Sequence, residues 1–214
     1  MTSKEKVQKQ KLIIKNFPTC CDYQNILNRM ANFTAMRAYN TLDELWILEH
    51  EPIFTLGRAA SKNNLLQNTA ISIIQTDRGG EITYHGPGQI LFYVLLNIKR
   101  LHINIKNLVA ILEDCIIEVL KKYEITAHKR ENMPGVYVDN AKIASIGLKI
   151  KNGCSYHGIA FNFNLDLTPF SLINPCGYKN LRMTKFSDFN TQVTKEIIQD
   201  DFITVFTARL NYAK

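Results

Sequence analysis

Asp77-Arg78-Gly79-Gly80-Glu81-Ile82-Thr83-Tyr84-His85-Gly86-Pro87-Gly88-Gln89 is the stretch on which the reading of this chain turns. It holds four glycines, a proline, an arginine and a histidine within thirteen residues. An apolar run with Ile71, Ile73 and Ile74 precedes it, and a longer one, Ile90 to Leu96, follows. Glycine lacks a Cβ, so its backbone can turn tightly or approach a ligand closely. A glycine-rich segment carrying Arg and His between two strand-like runs reads as a substrate-binding loop on a sheet. The plainer reading, an ordinary hairpin connection, stays open on this stretch alone, because Gly and Pro punctuate most turns.

Outward from that stretch the pattern is mixed α and β. Ile90 to Leu96 is apolar almost throughout, which predicts a strand buried on both faces. Asn107 to Tyr123 predicts a helix, with an apolar stripe of Leu108, Ile111, Leu112, Cys115, Ile116, Val119 and Leu120. Asp22 is an N-cap candidate for a helix running to about Tyr39, with Ile26, Met30, Phe33 and Met36 inward. A last helix is predicted over Val193 to Leu210, with Ile197, Ile198, Phe202, Val205 and Phe206 inward. Strands are predicted over Lys11–Phe17, Leu45–Glu49, Ile53–Leu56, Val136–Val138, Lys142–Ile150 and Ser155–Leu165. Asn152-Gly153 is a strong hairpin signal between the last two. With 214 residues and neither repeats nor a linker, one domain over residues 1–214 is expected. Its class is α/β (α+β), a mixed sheet flanked by helices.

Composition narrows the function. No apolar run reaches the roughly 18 residues of a membrane span, so no membrane association is expected. The net charge of +7 suits an acidic partner. The basic residues are scattered apart from a small cluster over Lys4 to Lys15. No zinc-finger, RNA-recognition or helix-turn-helix signature is present, so nucleic acid is not the expected partner. The five cysteines are odd in number and form no C-x-x-C pair. That points to neither a disulfide framework nor a metal site, and to a reduced, cytoplasmic compartment.

Cys176 stands out among the five, because Asn174-Pro175-Cys176-Gly177 presents it on a Pro/Gly turn. Cys115 lies on a helix stripe and reads as a small buried hydrophobe. Cys154 sits beside the Asn152-Gly153 turn and is expected to be exposed without function. Free Cys titrates near 8.5, so a thiol nucleophile needs a base or a nearby cation. The candidate activators are Lys142, His85 and His157. Lys142 opens the small-residue segment Ile143-Ala144-Ser145-Ile146-Gly147, where desolvation would lower its pKa. Spacing alone favours a solvated strand-edge lysine there. Each histidine adjoins a glycine, and either is a candidate base or a pocket-shaping group.

Taken together, these segments resemble a known family. Arg78-Gly79-Gly80-x-x-Thr83-Tyr84-His85-Gly86-Pro87-Gly88-Gln89 looks like the signature of lipoyl(octanoyl) transferases, the LipB family. Leu56-Gly57-Arg58, Lys142 to Gly147, Tyr156-His157-Gly158-Ile159-Ala160-Phe161-Asn162 and Asn174 to Gly177 match in order. The similarity runs from about Lys11 to the last helix.

The resemblance implies a catalytic-domain fold shared with biotin and lipoate ligases. It implies that an octanoyl group passes from the phosphopantetheine of acyl carrier protein to Cys176 as a thioester, with Lys142 as its partner. The acyl group then moves to a specific lysine of a lipoyl domain, in a 2-oxoacid dehydrogenase subunit or the glycine-cleavage H protein. Substrate-binding positions carried over are Arg78, Gly79, Gly80, Glu81, Ile82, Thr83, Tyr84, His85, Ser145, Ile146, Gly147, Gly158, Ile159 and Ala160, with His157 in support. No ATP, metal or other cofactor is expected, since thioester exchange is near-isoergic. Two other readings compete. One is an ATP-dependent lipoate or biotin ligase on the same fold, which leaves Cys176 idle. The other is a non-catalytic module that binds acyl carrier protein, which leaves both Cys176 and Lys142 unexplained.

Overall fold

The computed structural model describes residues 10–17 and 20–213. Lys4, Lys6 and Lys9 of the basic cluster lie outside the described residues. The strands are β1 (Leu12–Asn16), β2 (Asp43–Leu48), β3 (Ile53–Leu56), β4 (Ser72–Gln75), β5 (Ile82–His85), β6 (Gln89–Leu95), β7 (Ala127–His128), β8 (Gly135–Val138), β9 (Ala141–Lys151), β10 (Cys154–Asn162) and β11 (Arg182–Met183). The helices are α1 (Tyr23–Met36), α2 (Ile105–Lys122) and α3 (Lys195–Arg209). The larger sheet is ordered β1-β2-β6-β10-β9-β8-β7, with β11 also on β9; the smaller is β4-β3-β5. The larger sheet is mixed, because β1 runs parallel to β2 and β11 to β9 while the other pairs are antiparallel.

β6 lies inside the larger sheet, and its two faces build two cores. Ile90, Phe92 and Val94 point to one side, where they meet Leu112, Ile116, Phe202 and Phe206 of α2 and α3. Leu91, Tyr93 and Leu95 point to the other, where they meet Ile26 and Met30 of α1. The near-continuous apolar run of β6 follows from this two-sided burial. Phe92 stacks on Phe202 with ring centroids 3.8 Å apart. Loss of such a buried ring typically costs about 3–5 kcal/mol.

Local signals set the element ends. The Asp22 carboxylate accepts from the Asn25 amide at 2.7 Å and caps α1. Asn104 and Asn107 cap α2 reciprocally. Asn152 and Gly153 both take positive φ, 54° and 80°, in the tight turn joining β9 to β10.

Four expectations need correction. α1 stops at Met36 rather than near Tyr39, and Met36 is 84% exposed instead of inward. There Arg37 leaves the helix in an extended conformation and turns its guanidinium inward to Asp43 and to the Leu95 carbonyl. Ile197 is exposed in the first turn of α3, while Ile198, Phe202 and Phe206, four apart, take the inner line. Cys154 is buried, because it begins β10 rather than extending the turn. The stretch Asp77–Gln89 is not a continuous loop. Its alternating Ile82–His85 pairs with β3 as β5. Among the described residues no helix is long and apolar enough to cross a membrane.

Candidate active site

Cys176 lies on a single short helical turn, Pro175–Gly177, with φ 56° and ψ 19°. A non-glycine residue in this left-handed region costs about 1–3 kcal/mol and persists only where its surroundings enforce it. The surroundings do so through a brace to the β3–β4 connection. The Asn174 amide donates to the Asn64 carbonyl at 2.8 Å, and the Asn64 side chain donates to Glu81 at 3.0 Å. The Glu81 carboxylate also accepts from the Ser61 amide at 3.0 Å. Cys176 is half-buried, with exposed Gly177 and Tyr178 after it.

Lys142 comes from the start of β9, with Tyr137 of β8 on one side and Met183 of β11 on the other. It is buried, not the solvated strand-edge residue that spacing favours. Its Nζ donates to Cys176 Sγ at 3.2 Å and lies 5.4 Å from the centre of the Tyr137 ring. Its path is cleared by Gly135, whose φ is +135°; a Cβ there would fall 2.3 Å from Lys142 Cε. Glu113, a buried carboxylate on α2, accepts from the Gly135 amide at 2.8 Å and holds that backbone in place. Burial works to lower the Lys142 pKa, but the facing Cys176 sulfur and then Tyr137 together outweigh it, so the net direction is upward. The expected downward shift is thereby corrected: desolvation is the largest single effect, but the charges and hydrogen bonds of Cys176 and Tyr137 together exceed it.

Arg78 runs beneath the site. It is buried and has no carboxylate partner within ion-pair distance among the described residues. Its guanidinium instead donates to the carbonyls of Thr55 (2.6 Å), Glu81 (2.8 Å) and Gly79 (2.9 Å), and to Thr55 Oγ1. The absence of a side chain at Gly147 lets the Arg78 stem pass; a Cβ there would lie 2.9 Å from Arg78 Cδ. His85 continues the network, with Nε2 3.3 Å from Thr55 Oγ1 and Nδ1 2.6 Å from Gln89 Oε1. Gln89 then donates to Asn162, Asn162 to the Thr184 carbonyl, and the Thr184 amide to the Lys142 carbonyl. One buried polar chain thus links the glycine-rich stretch to the backbone of Lys142. Burial, with His50 and Arg78 close by, holds His85 well below its ordinary pKa, so it is neutral.

These parts line one cavity of about 330 Å³. Arg78 to Thr83, His85, Lys142, Ser145 to Gly147, His157 to Ala160 and Cys176 all reach it. Tyr84 does not. Strand alternation turns it onto Phe54 and Phe170 in an apolar cluster behind β5. Tyr23, Leu91 and Tyr93 also line the cavity without having been singled out in the sequence. The glycine-rich stretch does contain one further functional-looking residue, Asp77, which pairs with His157. Among the described residues no group of three His, Cys, Asp or Glu side chains gathers as a metal site.

The cavity is thus fed by β5, β9 and β10 of an α/β domain and holds the Lys142–Cys176 pair. Residues 22–210 match the family described as lipoyl protein ligase A/B catalytic domain. An octanoyltransferase of Legionella pneumophila (strain Corby) is 50% identical over 185 residues, covering 86% of this chain and 93% of its own. A bi-partite lipoate protein ligase from Thermoplasma acidophilum superposes with a TM-score of 0.75 at 15% identity, over 96% of this chain and 85% of its own. Biotin protein ligase from Aquifex aeolicus follows at 0.55 and 15%, over 95% and 69%. These two structures share the fold, as the sequence resemblance implies. The chain belongs to the octanoyltransferase family of acyltransferases, within the lipoyl protein ligase A/B catalytic-domain class.

Proposed function

We propose that this enzyme takes an octanoyl group from acyl carrier protein onto Cys176 and delivers it to a specific lysine of a lipoyl domain. The observation that carries this reading is the 3.2 Å contact between Lys142 Nζ and Cys176 Sγ at the lined cavity.

In the first half-reaction the Cys176 sulfur attacks the thioester carbonyl. The carbon–sulfur bond to pantetheine breaks, and the departing sulfur takes a proton from Lys142. Acylation removes the negative partner that raises the Lys142 pKa. Burial is then unopposed by that charge and favours the neutral amine, which is the form able to accept a proton. In the second half-reaction the acceptor lysine amine attacks the Cys176 thioester and passes its proton to Lys142, and Cys176 leaves as thiolate. One residue is reset by each half-reaction, so the cycle needs neither ATP nor a metal. The net charge of +7 suits an acidic carrier protein as donor.

The test is intact-mass measurement after mixing the protein with octanoyl-acyl carrier protein. An octanoyl adduct is expected, mapping to Cys176 and discharged by a lipoyl domain. An active protein with no adduct, or one elsewhere, overturns the reading. Dependence on ATP and free octanoate, surviving Cys176→Ala, establishes a ligase instead.

A further inference from the structure

Glu81 is the one carboxylate among the described residues that line the cavity; the side chains of Arg58, Arg78 and Lys142 there are cations. Glu81 is half-buried, and its two oxygens are used differently. Oε2 accepts from the Ser61 amide at 3.0 Å and from the Asn64 side chain at 3.0 Å. Oε1 has no hydrogen-bond donor among the described residues, and it is not one of the side-chain atoms sealed away without a partner. Among the described side chains no cation lies within ion-pair distance of the carboxylate. One oxygen is therefore anchored and the other is open.

The open oxygen lies against the turn that carries the reacting cysteine. Gly177 follows Cys176, and a Cβ added to Gly177 would lie 3.0 Å from Glu81 Cγ and 3.5 Å from Glu81 Oε1. Gly177 is exposed, so this wall belongs to the mouth of the cavity, whereas Ile82, Leu91 and Tyr93 line its buried part. Nothing in the first half-reaction asks for a negative charge here. The acyl chain and its thioester are uncharged, and the Cys176 sulfur itself turns negative. The second substrate differs. A lysine side chain titrates near about 10.4, so it arrives from neutral water as an ammonium. A carboxylate holds an ammonium by charge-assisted hydrogen bonds.

We propose that Glu81 Oε1 is the docking point of the acceptor lysine, receiving its ammonium beside the Cys176 thioester while Ser61 and Asn64 hold the carboxylate from behind. This rests on the acyl-transfer reading of the cavity. The docked ammonium gives one proton to water at the mouth. The amine so formed attacks the thioester carbonyl and its second proton passes to neutral Lys142. The carbon–sulfur bond breaks, and Cys176 leaves as thiolate. Glu81 places the nitrogen and takes no proton, so its contribution lies in binding the acceptor.

The experiment starts from octanoyl-Cys176, formed with octanoyl-acyl carrier protein and freed of the donor. Intact mass then follows its discharge by two nucleophiles: a lipoyl domain, whose lysine is an ammonium, and hydroxylamine, which is uncharged at neutral pH. The measured quantity is the ratio of their second-order rate constants. Glu81→Gln keeps an oxygen for Ser61 and Asn64 but turns an amide nitrogen to the cavity. Its lipoyl-domain-to-hydroxylamine ratio is expected to fall about tenfold or more, the scale of one hydrogen bond to a charged group. The loss is expected in the lipoyl-domain concentration needed for half-saturation. Glu81→Asp keeps the charge and is expected to lose less. Damage to the brace behind Cys176 slows both nucleophiles alike and leaves the ratio where it was. An unchanged ratio in Glu81→Gln, or an equal fall in Glu81→Asp, overturns the docking point. So does slowed acylation by the carrier protein with lipoyl-domain saturation unchanged, which assigns Glu81 to the pantetheine arm. Absence of any octanoyl adduct on the wild type fails the acyl-transfer reading instead, so the two failures are distinct.

Discussion

Lys142 Nζ and Cys176 Sγ lie 3.2 Å apart although 34 residues separate them in the chain. The lysine is delivered by the start of β9 and the cysteine by a strained turn braced on Asn64. The pairing divides the lysine's possible roles into charge and proton transfer, and substitution can separate them. Arginine keeps a cation but does not release its proton near neutrality. Lys142→Arg is expected to lose about 10²-fold or more of overall transfer, because acylation of Cys176 loses its proton donor and discharge of octanoyl-Cys176 loses its proton acceptor. Intact-mass time courses check this; free turnover in the variant would remove Lys142 from the proton path.

The same geometry makes Gly135 a test at one remove. Its amide is held by Glu113 at 2.8 Å, and a Cβ would lie 2.3 Å from Lys142 Cε and 2.5 Å from the Ala144 carbonyl. The lysine could swing aside, but the carbonyl belongs to β9 and cannot. Gly135→Ala is therefore expected to destabilise the fold by about 1–3 kcal/mol and to displace the Lys142 ammonium from the thiol. Urea denaturation gives the first effect. Transfer kinetics at a temperature where the variant is folded give the second, expected as at least a tenfold loss, by about the scale of a misplaced catalytic group.

How much of this was legible in the residues divides along physical lines. The two-faced burial of β6 and the stripe of α2 are local patterns, and the chain declares them. Lys142 is different. Burial of its ammonium depends on β8 and β11 flanking β9, on Tyr137 below it and on the cysteine opposite, all of them non-local pairings. Spacing therefore favours a solvated lysine until the motif resemblance is added. Tyr23, Leu91 and Tyr93 were invisible as site residues because each also reads as core, and they face the cavity only through the packing of α1 on β6. Met36 and Ile197 were misplaced because periodicity is blind to where a helix stops or starts, whereas Arg37 breaking away to Asp43 decides it for α1.

His85 offers a test of the polar chain. Both of its ring nitrogens are engaged within the protein, by Gln89 at 2.6 Å and Thr55 at 3.3 Å. Thr55 in turn positions the Arg78 guanidinium. A ring so occupied is a positioning group, not a base. Loss of an essential base costs about 10²–10⁴-fold, whereas His85→Gln, which can offer both a donor and an acceptor, is expected to cost less than about tenfold. A pH–rate profile with unchanged limbs accompanies that result. Loss of a limb in the variant would restore His85 as a base.

His50 sets an acid limit on the fold. Its Nδ1 lies 2.9 Å from the Cys21 carbonyl and its Nε2 2.8 Å from the Tyr93 hydroxyl. The carbonyl requires a proton on Nδ1, so neutral Nε2 accepts from Tyr93. Burial lowers the His50 pKa from 6.5 to about 4, against the smaller upward pull of the Cys21 carbonyl. The unfolded chain therefore takes up this proton near pH 6.5, while the folded one resists until about pH 4. The stabilising contribution is complete above 6.5 and is lost as pH falls through that window. At about 1.4 kcal/mol per pKa unit the total is on the order of 3 kcal/mol. His85 and His157 are shifted in the same direction and add to the slope. His50→Gln can keep both hydrogen bonds but cannot titrate. Its unfolding free energy, measured in urea between pH 4 and pH 6.5, is expected to fall less steeply than that of the wild type, by up to about 1.4 kcal/mol per pH unit. Parallel slopes would show that His50 is not the group that charges on acid unfolding.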